Sequence, residues 1–356
     1  LEGPLSAIAP EKHRQFFGAN SSLTAKAKLL KDGGFLLEDA SLASGAVQLR
    51  ANAATLADGF LSALNINLRL AHKGKDRVVI PSREGKVSLA NAGLTLRYDA
   101  LRNEAWDSSL SIKDLERADL SIGDVALKSS GTVASIRDAA RRAVTFDLKG
   151  KASGVTAKDP ALARALGDAA DLAGRGDWKA GAPIKIERLM VLGQTFQLIT
   201  KGQLADKTFD GQVDIEAANL SAFSAIAGRD LAGSTSMTVT GVVMPLSGGF
   251  DVTLDGKAGD LSIGDERVDS LLKGQTTLSG GVARTTDGLA FRDFTLSTRQ
   301  LTADLTGRVA ADHSDLKADA LVNDLATISS DAAGPLKLSI DLTGQAKPFD
   351  LKATLG

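Results

Sequence analysis

The sequence predicts an all-β, antiparallel fold, and three observations carry that prediction. Short segments alternate apolar and polar residues one by one. Turns of Gly, Asp or Lys separate them, and one unit of this kind returns from end to end. Period-two alternation places one row of side chains on an apolar face and the other in water. The polar row is Lys, Asp, Thr, Asn and Ser, the composition of a solvated antiparallel face.

Taken in chain order, Leu5-Ser6-Ala7-Ile8-Ala9 is a first short helical segment. Asp32-Gly33-Gly34-Phe35-Leu36-Leu37-Glu38-Asp39-Ala40-Ser41-Leu42, followed by Val47-Gln48-Leu49, is the first clear strand–turn–strand unit. Residues 64–70, 94–98 and 144–148 alternate strictly and read as strands. A helical insertion is expected over 157–174, with Asp159 as N-cap, Pro160 at the first helical position and Gly174 at the end. Leu162, Leu166, Ala169 and Leu172 would form its apolar stripe. A second, shorter helical insertion is expected over 219–231, and a third at Leu325-Ala326-Thr327-Ile328. Strands follow at 237–243, 250–254 and 336–342. Asp287 to Leu296, with Leu301 to Leu305, repeats the layout begun at Asp32. The segment 349–356 looks like a strand cut before its partner, so the chain reads as part of something longer. Residues 1–356 are expected to form one continuous, repeat-like β-segment.

Echoes within the chain support this reading. Asp119-Leu120-Ser121-Ile122-Gly123-Asp124 returns as Asp260-Leu261-Ser262-Ile263-Gly264-Asp265. Phe146-Asp147-Leu148-Lys149-Gly150-Lys151-Ala152 resembles Val252-Thr253-Leu254-Asp255-Gly256-Lys257-Ala258, and Asp304-Leu305-Thr306-Gly307 matches Asp341-Leu342-Thr343-Gly344. The copies are irregularly spaced, which describes a loosely repeating sheet rather than a strict solenoid.

Composition narrows the function. Lys and Arg total 42 against 43 for Asp and Glu, so no basic field exists to hold nucleic acid. Cysteine is absent, which excludes disulfide scaffolds and Cys-ligated zinc. Two Trp and one Tyr are too few for the aromatic girdles of a membrane β-barrel. No apolar run reaches the roughly 18 residues that a membrane-spanning helix needs. Phosphate loops, zinc-protease helices and nucleophile elbows are missing. His13, His72 and His313 lie far apart in sequence, and Asp residues such as Asp293 and Asp315 mark turns and polar strand faces. The chain therefore reads as non-enzymatic, without cofactor or metal. Arg175-Gly176-Asp177 and the sequons at Asn20 and Asn219 read as chance matches, and Arg137, Arg141 and Arg142 as a solvated basic turn.

What remains is the apolar rows. They suit either the core of a β-sandwich or the lining of an open groove; the echoing units and the shortage of large aromatics favour the groove. By alternation, the candidate lining residues are Leu64, Ile66, Leu68, Val87, Leu89, Leu94, Leu96, Phe146 and Leu148 in the first half. Val213, Ile215, Val239, Val252, Leu254, Leu301, Leu305, Leu338 and Ile340 complete the set.

With those features assembled, the chain resembles the TamB family, the translocation and assembly module, and its AsmA-like, bridge-like lipid-transfer relatives. The likeness rests on Leu220-Ser221-Ala222-Phe223-Ser224-Ala225-Ile226-Ala227-Gly228-Arg229-Asp230-Leu231-Ala232-Gly233 leading into Met237-Thr238-Val239-Thr240-Gly241. The unit from Asp287 to Leu296, with Leu301 to Gly307 after it, also looks like that family, in the style of an internal fragment. The resemblance implies a long antiparallel sheet curled into a U-shaped hydrophobic groove, a β-taco. It implies a bacterial periplasmic protein, anchored in the inner membrane by an N-terminal helix absent here, that carries phospholipid acyl chains between the inner and outer membranes. The alternative it implies is a scaffold for outer-membrane protein assembly and secretion, acting by strand augmentation with a TamA-like barrel partner. No catalytic residues follow from it.

Overall fold

The computed structural model describes residues 2–3, 20–72, 76–80, 87–100, 102–158, 163, 167–310, 313–329, 331–344 and 350–355. The chain divides into two compact units, residues 1–159 with 167–191, and residues 160–166 with 192–356. Every strand pairing among the described residues is antiparallel, as the alternation requires.

The first unit begins with β1 (Glu2–Gly3), β2 (Ser21–Leu29), β3 (Phe35–Ala43), β4 (Val47–Thr55) and β5 (Leu61–Ala71). A small hairpin, β6 (Val78–Ile80) and β7 (Val87–Leu89), precedes β8 (Asn91–Asp99) and β9 (Ala105–Glu116). Then come β10 (Leu120–Ala134), β11 (Ala143–Ala157), β12 (Ala169–Lys179) and β13 (Ile184–Leu192). Strands β1 to β5 pair in sequence, β5 pairs with β8, and the meander continues to β12. The hairpin joins this sheet through Ser88 opposite Glu116.

The second unit is a plain meander. It comprises β14 (Phe196–Ala205), β15 (Thr208–Ala217), β16 (Ala232–Met244), β17 (Gly249–Ser262) and β18 (Gln275–Arg284). It continues through β19 (Gly288–Ser297), β20 (Leu301–Ala310), β21 (Ser314–Val322), β22 (Leu336–Gly344) and β23 (Asp350–Leu355). Among the described residues, neither meander closes on itself. Substantial contacts between elements run only between sheet neighbours or to short helices. A sandwich would instead pack strand faces on one another, so within each unit the open sheet replaces the sandwich alternative.

The helical segments sit where connections are longest. Asn219 caps a 3-10 turn, Leu220–Phe223, that runs into α1 (Ser224–Ala227) and ends at left-handed Gly228. The strand-to-strand hydrogen bonds place this insertion, α2 (Glu266–Leu271) and the 3-10 turn Leu325–Thr327 at one rim of the second unit. At the other rim, β14 and β15 are joined by Asp206 and Lys207, both at positive φ, as a tight two-residue hairpin demands. The segment Leu5–Ala9 lies outside the described residues.

The helix expected over 157–174 is corrected in its C-terminal part. Ala169–Gly174 belongs to β12, and most of residues 159–166 lie outside the described residues. Gly167 falls inside the expected helix at φ 65°, a left-handed conformation that interrupts it. In addition, Ala170, Leu172 and Gly174 alternate in step with Ala152, Gly150 and Leu148 of β11, so ladder hydrogen bonds and side-chain packing both favour the strand. The helix α2, by contrast, was not expected. Its sequence follows Asp260-Leu261-Ser262-Ile263-Gly264-Asp265, whose twin at Asp119 opens strand β10.

Candidate apolar face

Reading across the strand register assembles the candidate site. In the first unit, Leu23, Leu42, Leu49, Leu68 and Leu94 stand opposite one another in turn. The row continues through Leu110, Leu127, Gly150 and Leu172, so nine consecutive sheet neighbours contribute eight leucines and one glycine. A Cβ at Gly150 would lie 2.6 Å from the Leu127 side chain, which leans over the gap. A parallel row is Ala25, Ala40, Ala51, Ile66, Leu96, Ser108, Ser129, Leu148 and Gly174. All the leucines of the first row are half-buried, screened by one another rather than by a second layer.

The second unit repeats the pattern with different residues. Leu198, Ile215, Met237, Gly256, Leu278 and Leu296 share one row, which Ala303, Ala320 and Leu338 extend. Gly256 occupies the place that Gly150 holds in the first unit, with Met237 at 3.0 Å from its notional Cβ. Beside this row, Val213, Val239 and Leu254 are in register, and Leu305, Ala318 and Ile340 continue that line on the far strands.

The ends of these faces are covered. In the first unit the β6–β7 hairpin lays Val78 and Leu89, each at most 1% exposed, against Ala46 and Ala92, with Leu70, Ile112 and Leu115 around them. At the opposite rim, Arg142 reaches back from the β10–β11 connection to the β4–β5 turn. Its guanidinium pairs with Asp58, donates to the Ile136 carbonyl at 2.8 Å and lies 4.1 Å from the centre of the Phe60 ring. Arg142 is 8% exposed, so the expectation of a solvated basic turn fails at this residue. The hydrogen bond from Arg142 holds the Asp58 carboxyl below the usual carboxylate range. Tyr98, in register between Leu64 and Trp106, is 6% exposed, and its hydroxyl has no partner among the described residues. Burial raises its pKa. In the second unit helices cover one rim: Phe223 meets Phe196 edge-to-face at 5.7 Å, and Thr298 donates to the Leu271 carbonyl at 2.7 Å.

The opposite faces are polar and laced. Lys26 and Lys28 hold the Glu38 carboxyl down to about 2. Arg175 pairs with Asp147 at 2.9 Å, Lys113 pairs with Asp124, and Thr295 donates to Asp304 at 2.8 Å. A hollow of about 1170 Å³ in the first unit is lined mainly from this side, by Asn65, Arg97, Asp107, Asp147, Arg175 and Glu187 among others. It carries charges of both signs, and no group of His, Cys, Asp or Glu among the described residues is placed to hold a metal.

Most of the candidate lining residues fall on the apolar faces. Leu68 and Leu94 share the leucine row, and Ile66, Leu96 and Leu148 share its neighbour. Leu64 and Phe146 stand on the same face nearer the Arg142 rim, Phe146 leaning across Gly176. In the second unit Ile215 and Leu338 lie in the first row, while Val213, Val239, Leu254, Leu305 and Ile340 lie in the second; Val252 and Leu301 share that face. Val87 and Leu89 do not join these rows: both belong to the covering hairpin, and Leu89 is core. Leu23, Leu42, Leu49, Leu110, Leu127 and Leu172 of the leucine row were missed, Leu110 because serines break the alternation around it and Leu172 because it was read as helical. Compared with protein-family models, curated proteins and solved structures, the chain matches none.

Proposed function

We propose that the apolar faces are a non-catalytic path for phospholipid acyl chains between the two membranes of a bacterial envelope, as the TamB resemblance implies. The observation that carries this reading is the in-register leucine row from Leu23 to Leu172, open to one side and bordered by covered rims. Each methylene exposed to water costs about 0.8 kcal/mol, so a sixteen-carbon chain faces a barrier on the order of 10 kcal/mol. An aliphatic lining removes much of that cost at every step. Because it offers no directional bonds, a chain slides along it without breaking any. The polar hollow on the other face offers no such relief, since an acyl chain there would have to desolvate its Arg and Asp side chains.

Lipid extraction and native mass spectrometry of the purified protein test this. Co-purified phospholipid is expected, and its loss in I66D, V239D and L254D variants that stay folded. Equal occupancy in wild type and variants contradicts the reading. Strand augmentation of outer-membrane proteins, with a TamA-like partner, is the competing proposal; it needs only the unclosed sheets and expects client assembly to survive those same substitutions.

A further inference from the structure

The second apolar row of the first unit is broken at one place. Between Leu96 and Leu148 it presents Ser108 and Ser129, directly opposite each other, with their hydroxyl oxygens 2.6 Å apart. The flanking positions of the adjacent row are Leu110 and Leu127, so half-buried leucines border the two hydroxyls on three sides, with Trp106 and Gly131 on the fourth. No comparable polar pair interrupts the corresponding row of the second unit, where Leu254 is followed by Gly280 and, beyond the bulge at Asp293, by Phe294 and Leu305.

Two serine hydroxyls carry two donor hydrogens, and a mutual bond uses one of them. Among the described residues neither hydroxyl makes a second hydrogen bond. While the face is wet, water takes the spare donor. Once an apolar occupant displaces that water, the donor is stranded at a cost to binding unless the occupant brings an acceptor. A plain hydrocarbon brings none. An acyl ester does, at its carbonyl oxygen, next to the chain that the surrounding leucines would shelter.

Resting on the acyl-chain reading above, we propose that Ser108 and Ser129 form a docking notch for the ester carbonyl of a glycerolipid. The notch gives an otherwise featureless apolar path one position at which an ester-linked lipid is held in preference to any occupant without a carbonyl. Leu96, Leu110, Leu127 and Leu148 receive the first methylenes, and the spare hydroxyl hydrogen donates to the carbonyl.

The test is competition between two phosphatidylcholines of equal chain length, one diester and one dialkyl ether, followed by native mass spectrometry of the whole chain. Wild type is expected to favour the diester by about three- to tenfold, the worth of one hydrogen bond. An S108A/S129A variant is expected to take up both lipids without preference, while S129T, which retains the hydroxyl, keeps the preference. A purely structural serine pair would alter folding but not the ratio. Equal uptake by wild type, or an unchanged preference in the double alanine variant, overturns the notch and leaves the acyl-chain reading standing. Failure of wild type to bind either lipid overturns both.

Discussion

The two units build the same apolar face and finish it differently. Both run a central row across their sheets with one glycine in it, Gly150 or Gly256, and in both a neighbouring side chain leans over the gap. The first unit covers its rims with a β-hairpin and a buried arginine; the second covers one rim with single-turn helices capped by Asn219, Asp265 and Asp324. Where different local structures produce one surface, the surface is what they have in common. Stability should accordingly reside at the covered rims, and ligand binding on the open rows.

The sharpest way to break that division is to truncate one residue of each kind. L89A removes a side chain 1% exposed and is expected to cost about 2–5 kcal/mol in denaturant unfolding. L110A, on the half-buried row, should cost roughly half as much or less while lowering lipid occupancy more. A larger loss of stability from L110A than from L89A would erase the distinction.

R142A probes the other rim. Losing the Phe60 contact and a buried guanidinium is expected to cost about 1–2 kcal/mol, with only partial recovery in R142K, since lysine lacks the planar fork. An unaltered melting curve for R142A would show that this rim is held by something else. Y98F sharpens the comparison in the opposite sense. Removing a buried hydroxyl without a partner should raise stability by about 1 kcal/mol, measured by the same unfolding experiment. A loss of stability would mean that the hydroxyl is bonded in solution.

The smallest effect concerns acid. Glu38, bonded to Lys26 and then Lys28, has its carboxyl lowered to about 2, and Asp58 is lowered by Arg142. A depressed carboxylate contributes stability that is fully present above its unfolded pKa and lost as pH falls through the folded one. The first unit should therefore lose stability between about pH 4.5 and pH 2, and E38Q should flatten part of that slope. Glu38 forms only solvent-screened pairs, so the effect is the smallest of the set, and E38Q should lose at neutral pH the same small increment of stability that it removes from the acid slope. A slope unchanged in E38Q would assign the acid sensitivity elsewhere.

How much of this was legible in the sequence depended on whether the signal was local. Alternation located the strands at 64–70, 94–98 and 237–243 and oriented their side chains, because a period of two requires nothing but neighbours. The echo between the Asp32 and Asp287 units became a shared irregularity: the register shifts between Leu37 and Ala40 in one, and between Phe291 and Phe294 in the other. The hexapeptide repeat was less faithful. Asp119 to Asp124 starts a strand, while Asp260 to Asp265 ends one and caps a helix, because Asp265 bonds the backbone of Arg267 and Val268. Register across strands is not local, so the leucine row and the Ser108–Ser129 pair emerged only from the pairing. Arg142 was misjudged for the same reason, since Asp58 and Phe60 lie more than eighty residues away in the chain.

Photocrosslinking with a phospholipid carrying a diazirine midway along one acyl chain tests the central claim most directly. Adducts are expected on the leucine rows, at positions such as Leu68, Leu94 and Leu110 and at Leu278 and Leu296 in the second unit. Adducts concentrated instead on the polar face, around Asn65, Arg97 and Asp147, or none at all from folded protein, would contradict it.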